Sequence, residues 1–295
     1  MDAVKALLAH AVDYAGLFPP ASLGMEQAVR NYRRYRTEAD SGGEFAWMLG
    51  HFVVGAQRLG EFADSFERVC CGEREEPWTL SVVCSGDPAA DMRAMEEFQQ
   101  GAAFISAIET RVASPEAAEA LLVRTQDAPT QYVEFAPAMA ESILPMLRSH
   151  RARAKLRTGG VTADAIPAAE AVAGFMMACR RAGVAFKATA GLHHAARGVR
   201  RLTYEAQSPQ ATMHGFINVL LAAGLIFHGG SREAAVKTLL EEDSGMFRLE
   251  ENAIAWHDHR LTTEQILEVR GQFAIGFGSC SFTEPVEDLK AMRWV

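Results

Sequence analysis

Short apolar runs recur along the chain, and each is followed by a stretch in which apolar residues repeat at helical spacing. The extended runs cover 12–20 (stopped by Pro19 and Pro20), 47–54, 78–83, 103–109, 131–135, 152–156, 184–189 and 273–277. The helical stretches cover 2–11, 25–36, 56–69, 88–99, 115–124, 139–150, 167–182 and 285–292. In the first helix the spacing is carried by Val4, Leu7, Leu8 and Val12, which place one apolar face along a helix. Strands alternating with helices at intervals of about 25 residues predict a parallel sheet closed on itself, an α/β fold of the (β/α)8 TIM-barrel class. An open doubly wound sheet would favour a glycine-rich phosphate loop after an early strand, and this chain has none.

The rhythm breaks once, over 193–272, where about 80 residues stand in place of a single crossover helix. This segment predicts helices around 214–227 and 232–241 and a hairpin turning at Glu251-Asn252. It is continuous with its flanks, so 1–295 is expected to be one domain with an insertion at the barrel mouth or at an oligomer interface. The apolar run 216–227, broken by Asn218, is too short to span a bilayer and reads as a buried helix.

Composition adds limits on partners. The chain is 49% hydrophobic and 22% charged with a net charge of −8, and its one basic block is Arg197 to Arg201. Neither nucleic acid nor a membrane is an expected partner. No basic stretch precedes an apolar one at the start, so a signal peptide is not expected. The five cysteines have no paired spacing and read as reduced thiols of a cytoplasmic protein.

Working residues of such a barrel lie at the C-terminal ends of strands and in the loops beyond them. That rule selects Asp13, Glu109, Glu134, Lys155, Arg157, Lys187, His193 and the turn Gly278-Ser279-Cys280-Ser281. The two lysines are the costly feature. Each ends an extended run and is followed within three residues by a threonine and then by glycine: Thr158 and Gly159 after Lys155, Thr189 and Gly191 after Lys187. Adjacent parallel strands lie about 4.8 Å apart, so two ammonium groups at one depth repel and one should lose its proton more easily. A neutral lysine can attack a carbonyl and form a Schiff base. The other reading is structural: both lysines snorkel, or pair with Glu109 and Glu134.

These segments resemble the strand motifs of the deoxyribose-phosphate aldolase family, class I aldolases on a TIM barrel. Lys155-Leu156-Arg157-Thr158-Gly159 is similar to its K-T-S-T-G run, and Lys187-Ala188-Thr189-Ala190-Gly191-Leu192 to its K-A-S-G-G-I run. Asp13, Leu17, Pro19 and Ala21 match its first strand, and Ile275 to Ser281 its phosphate-binding last turn. The resemblance implies an imine at Lys155, tuned by Lys187, with Asp13 or Glu134 shuttling protons. The family's strand-four aspartate falls on Ser106, so the acid/base carboxylate is missing there and Glu109 or Glu134 stands as its replacement. Arg157 occupies a serine position of the family, which favours a carboxylate or phosphate on the substrate. Thr158, Gly159, Thr189, Gly191, His193 and the turn Gly278 to Ser281 are the expected anion-binding set. The expected partner is a small anionic carbonyl metabolite, with no cofactor and with a homo-oligomer possible on fold analogy.

Two other classes compete. One is a barrel that binds an anionic metabolite without imine chemistry. The other is a metal-dependent hydrolase built on His193-His194 or on His257 and His259, although these histidines are expected to be packed or solvated and no metal site is assigned.

Overall fold

The computed structural model describes residues 2–37, 43–70, 76–99, 101–124 and 129–295. With strands numbered along the chain, β1 (Val12–Tyr14), β2 (Leu49–Gly55), β3 (Trp78–Val83), β4 (Ala103–Arg111), β5 (Thr130–Glu134), β6 (Arg153–Arg157), β7 (Phe186–Thr189) and β13 (Ala274–Ser279) form a closed barrel in the order β1-β13-β7-β6-β5-β4-β3-β2. Neighbouring strands are parallel throughout. The expected (β/α)8 barrel is therefore the fold, and each of the eight expected strands lies where the apolar runs put it.

Helices α1 (Ala3–Leu8), α2 (Met25–Thr37), α3 (Leu59–Cys70), α4 (Pro88–Glu97), α5 (Pro115–Arg124), α6 (Ala140–Ser149) and α7 (Ala169–Ala182) precede or join these strands. Local chemistry sets their ends. The Asp87 carboxylate accepts from the amides of Ala89 and Ala90, and Pro88 opens α4, which satisfies donors that the helix leaves unpaired. Helix α7 stops at Gly183 in the left-handed region, φ 65°, where a Cβ would be strained.

The apolar core lies between the outer faces of the strands and the helices. On one side Tyr14, Tyr32, Phe52, Phe62, Phe66 and Trp78 form a continuous aromatic cluster. On the other, Phe135, Phe175, Phe186 and Phe273 pack in series. Strand alternation then turns the intervening residues inward. On β6, Ala154 and Leu156 are buried toward the helices, which leaves Arg153, Lys155 and Arg157 on the interior face. The barrel lumen is consequently polar.

The insertion divides instead of gathering at the mouth. A hairpin of β8 (Gly198–Arg201) and β9 (Gln210–Met213) borders the loops after β7 and β13. Helix α8 (Phe216–Phe227) is buried along its whole length, and α9 (Arg232–Leu240) packs on it. A three-stranded antiparallel sheet of β10 (Phe247–Glu250), β11 (Ala253–Trp256) and β12 (His259–Thr262) lies against α1, which precedes β1, and so sits toward the opposite face. The hairpin turn at Glu251-Asn252 is as expected. The third strand and α10 (Thr263–Gln272) were not legible. A capping box of Thr262 and Gln265 starts that helix, but its apolar positions are few. Helix α11 (Thr283–Ala291) closes the fold.

Asn218 joins the parts of the insertion. Its Oδ1 accepts from the Arg197 amide at 2.8 Å, and its Nδ2 donates to the carbonyls of Thr238 and Glu241, both at 2.8 Å. Asn218→Ala would leave these buried groups unpaired, at about 1–3 kcal/mol for each one not rescued by water. A fall of about 3 kcal/mol in urea-measured stability, with an unchanged denaturant slope, is expected; a change under about 1 kcal/mol would contradict this role.

Candidate active site

The interior site is built where strand register aligns charge. Lys155 on β6 lies directly opposite Lys187 on β7, and Glu134 on β5 directly opposite Lys155. The shared depth read from the sequence is therefore present. The two ammonium groups do not face each other bare, however, because β4 delivers a carboxylate between them. Its pairing to β3 slips between Leu80 and Ser81: Leu80 pairs Ile105 and Ser81 pairs Ala107. Ser106 is the extra residue of this bulge, and its hydroxyl donates to the Leu80 carbonyl. The bulge carries Glu109 into the lumen. Strand four therefore carries an interior carboxylate, Glu109, three residues beyond Ser106.

Glu109 holds both lysines. Its Oε2 is 2.8 Å from Lys155 Nζ, and its Oε1 accepts from Lys187 Nζ at 2.6 Å and from the Ser81 hydroxyl at 2.6 Å. Lys187 also donates to Asp13 Oδ2, and Lys155 lies 3.2 Å from Glu134 Oε2. Arg157 Nε donates to Glu134 Oε1 at 2.8 Å. At the other end, the His51 amide and ring Nδ1 meet Asp13 Oδ1 at 2.7 and 2.8 Å. The charges thus alternate as Arg157, Glu134, Lys155, Glu109, Lys187, Asp13, and the His51 imidazole ends the series. Exposure grades along the chain: the side chain of Lys187 is 2% exposed, Lys155 8%, His51 27% and Arg157 47%.

The electrostatics follow. Burial opposes the charge on Lys187, but the adjacent Asp13 and Glu109 outweigh it and raise its pKa above the usual lysine value. Burial likewise favours neutral Glu109, but Lys187 and Lys155 outweigh it and hold the carboxyl at about 2. Asp13 is held well below the usual carboxylate range, its burial outweighed by Lys187 and His51. Glu134 is lowered, its burial outweighed by Lys155 and Arg157. The expectation that lysine–lysine repulsion loosens a proton is thereby corrected for Lys187: a carboxylate on each side holds that proton in place. Tyr132 lies beneath, with Lys187 Nζ 5.0 Å from its ring centre, a cation–π contact.

The loops beyond the strands hold the remaining candidates. Thr158 Oγ1 donates to the carbonyls of Thr189 and Ala190, which ties the turn after β6 to the turn after β7. Gly159 and Gly191 meet there, and a Cβ on Gly159 would lie 3.0 Å from Gly191 Cα. His193 Nδ1 is 3.0 Å from the Ser279 hydroxyl, and burial lowers its pKa to about 4, so the ring is neutral. Cys280 is buried 3.7 Å from His193 Nδ1, and burial pushes its thiol up to about 11. That keeps it a thiol and agrees with a packing role. Ser281 Oγ accepts from the Glu284 amide and caps α11. The residues 189–193 and 278–281 thus form a second group, bordered by the β8–β9 hairpin. Their side-chain contacts run to one another, to Tyr204 and to the start of α11, and not to the lysines.

Sequence reasoning missed His51, Ser81 and Tyr132. A signal existed for Ser81: Thr79 and Ser81 alternate with Trp78, Leu80 and Val82 in the third apolar run, a period of two with a polar inner face. Among the described residues no group of three His, Cys, Asp or Glu side chains converges as metal ligands. His257 pairs with Glu241 at 3.0 Å, and His259 stacks on Trp256.

Removing one partner of a buried ion pair costs about 3–5 kcal/mol, so Glu109→Gln should lose stability on that scale at pH 7. The lowered pKa gives the pH dependence its sign. The Glu109 contribution is complete above the ordinary 4.5 and disappears as pH falls toward about 2, because the unfolded carboxyl binds its proton first. Lys187 acts oppositely: its contribution is complete below the ordinary 10.5 and is lost only at higher pH. Urea titrations at pH 7 and pH 3 should show wild type losing stability across that acid range and Glu109→Gln losing less. Equal losses in the two proteins would contradict the bridging role.

With this geometry in place, comparison with solved structures yields a likeness. The chain is similar to deoxyribose phosphate aldolase from Aeropyrum pernix, a protein described as a tetramer: 13% identity, 98% of this chain and 93% of that chain covered, TM-score 0.47. No family model and no curated protein matches the chain. No helix of the described residues is long and apolar enough to cross a membrane.

Proposed function

We propose that the protein is a class I, imine-forming aldolase-like lyase acting on a small phosphorylated or carboxylated carbonyl compound, with Lys155 as the imine-forming residue. The observation that carries this reading is the pair of inward lysines in register on β6 and β7, sharing Glu109. The two lysines are not equivalent. Lys187 is held by two carboxylates of its own, which favour its charged form at equilibrium. It therefore acts as a fixed charge that withdraws half of Glu109 from Lys155. Lys155, at the same depth, is the more exposed of the two and lies beside Glu134, which also holds Arg157.

Reaction begins when the Lys155 ammonium passes a proton to Glu134 or Glu109, which lie at 3.2 and 2.8 Å. The free amine forms a C–N bond to the substrate carbonyl carbon. The carbonyl oxygen then leaves as water, so that ammonium and carbonyl together give one protonated imine and one water. The imine nitrogen accepts the electron pair of the carbon–carbon bond that breaks. Asp13 serves as the proton shuttle on the Lys187 side. Arg157 is half exposed while bound to Glu134 and offers its outer face to a substrate carboxylate or phosphate. The turns holding Thr158, Gly159, Thr189, Gly191, His193 and Gly278 to Ser281 are the proposed seat of the anionic end.

One observation favours a second reading, a barrel that binds an anionic metabolite without covalent chemistry. Both ammonium groups already hold two carboxylates each, which is also what a purely structural ion cluster requires.

Borohydride reduction in the presence of aldehydes and keto acids, read by intact mass, separates the two. Wild type should gain the mass of the reduced adduct. Lys155→Ala should gain none, and Glu134→Gln should react about 10²–10⁴-fold more slowly. A wild-type protein that traps no carbonyl compound refutes the imine reading and leaves the binding one.

A further inference from the structure

The ion chain has two ends. Arg157 meets the mouth; His51 meets a cavity on the other face. This cavity, about 450 Å³, is lined by His10, Leu49, Gly50, His51, Thr79 and Glu76 among others. Each of these lies just before a barrel strand or at its first residues, so the cavity opens on the N-terminal face. In barrels of this class that face is ordinarily given to packing. Here the lumen above it is polar through to Asp13.

Asp13 is aimed toward that face. Its Oδ1 occupies the space where a side chain on residue 50 would start: a Cβ on Gly50 would lie 2.3 Å from it. The amide of His51 already donates to Oδ1 at 2.7 Å, so satisfying the carboxylate does not require the imidazole. The ring nevertheless places Nδ1 at 2.8 Å from the same oxygen and stands 27% exposed beside the cavity. An imidazole carries two nitrogens that can take a proton on one side and release one on the other.

We propose that His51 is a proton port: it exchanges protons between water in the N-terminal cavity and the buried Asp13–Lys187 pair, from the face opposite the one substrate enters. The step balances. A proton bound at Nε2 is matched by one released from Nδ1 to Asp13 Oδ1. Rotation of the carboxyl group presents that proton to a Lys187 nitrogen that has given its own toward Glu109. The return leg runs the same path backwards: Glu109 gives its proton back to Lys187, Lys187 passes one to Asp13, and Asp13 returns it to Nδ1 as Nε2 releases its own to cavity water, so both carboxylates and the first tautomer are restored. Asp13 from β1 holds the His51 ring; His10 ahead of β1, Tyr32 and Arg36 from α2, and Glu76 ahead of β3 line the cavity with it; and Arg270 from α10 acts electrostatically on Asp13. Arg36 is committed to the carbonyls of Glu76 and Pro77, Tyr32 to that of Gly50, and Arg270 to those of Ala9 and Ala274. His10 Nδ1 is bound to the Leu49 carbonyl. Among the described residues, only His51 joins this cavity to the Asp13 carboxylate by a side-chain hydrogen bond.

The use of the port in catalysis rests on the imine reading, but the exchange itself does not, and the test is chosen accordingly. With lysine labelled in ¹⁵N, the exchange of the Lys187 ammonium protons with water can be followed by NMR. Disappearance of the signal in Lys187→Met assigns it. His51→Phe should slow that exchange by at least about tenfold, the scale of removing a positioned acid–base group. His51→Gln keeps a polar contact to Asp13 but cannot relay a proton, and should slow it similarly. An unchanged exchange rate in either folded variant overturns the proposal. Absence of borohydride trapping in wild type would remove the imine reading and leave this result standing.

Discussion

A carboxylate standing between two buried ammonium groups is the interaction on which the interior of this barrel depends. Lys155 and Lys187 face each other in register, at a separation where like charges in a poorly screened lumen repel strongly. Glu109 converts that repulsion into two attractions, and the same logic extends outward through Asp13 and Glu134 to His51 and Arg157. Glu109, Lys155 and Lys187, the buried middle of the chain, cannot be neutralised one at a time without leaving a buried charge uncompensated. The apolar work of folding is displaced to the outer faces of the strands, where the aromatic clusters lie, and the lumen is released for polar chemistry.

This division of labour made much of the fold legible in sequence. Each barrel strand is an apolar run, because its outer face meets helices. Each interior ion is a polar interruption at period two, as in Arg153, Lys155 and Arg157 between Ala154 and Leu156. The pairing of the two lysines followed from strand order and depth. What stayed hidden depended on departures from regular spacing. The bulge at Ser106 shifts β4 by one residue, so the faces of its later side chains do not follow from alternation along the whole strand. His51 was hidden for a related reason. The β1–β2 register is irregular between Val12 and Tyr14, so the side of the strand that His51 occupies cannot be counted from the ends.

The insertion was read as one piece and is three. Its apolar helix α8 was legible because a run with no polar face can only be buried. Helix α10 was not, since it packs chiefly through Ile266 and Val269 while its other face is charged. The loops after β7 and β13 match their expected positions, but their contacts run among themselves, through Thr158, His193 and Ser279. The lysines and these loops thus form two separate groups, the arrangement on which the proposed two-ended substrate rests.

The ionisation of Glu109 tests the ion chain most directly. Its side-chain carboxyl carbon can be observed by ¹³C NMR, with Glu109→Gln supplying the assignment. The expected result is a carboxylate signal that persists as the pH is lowered well past 4.5, with protonation only toward about 2. A midpoint near 4.5 would contradict the claim that two cations are bound to this one carboxylate.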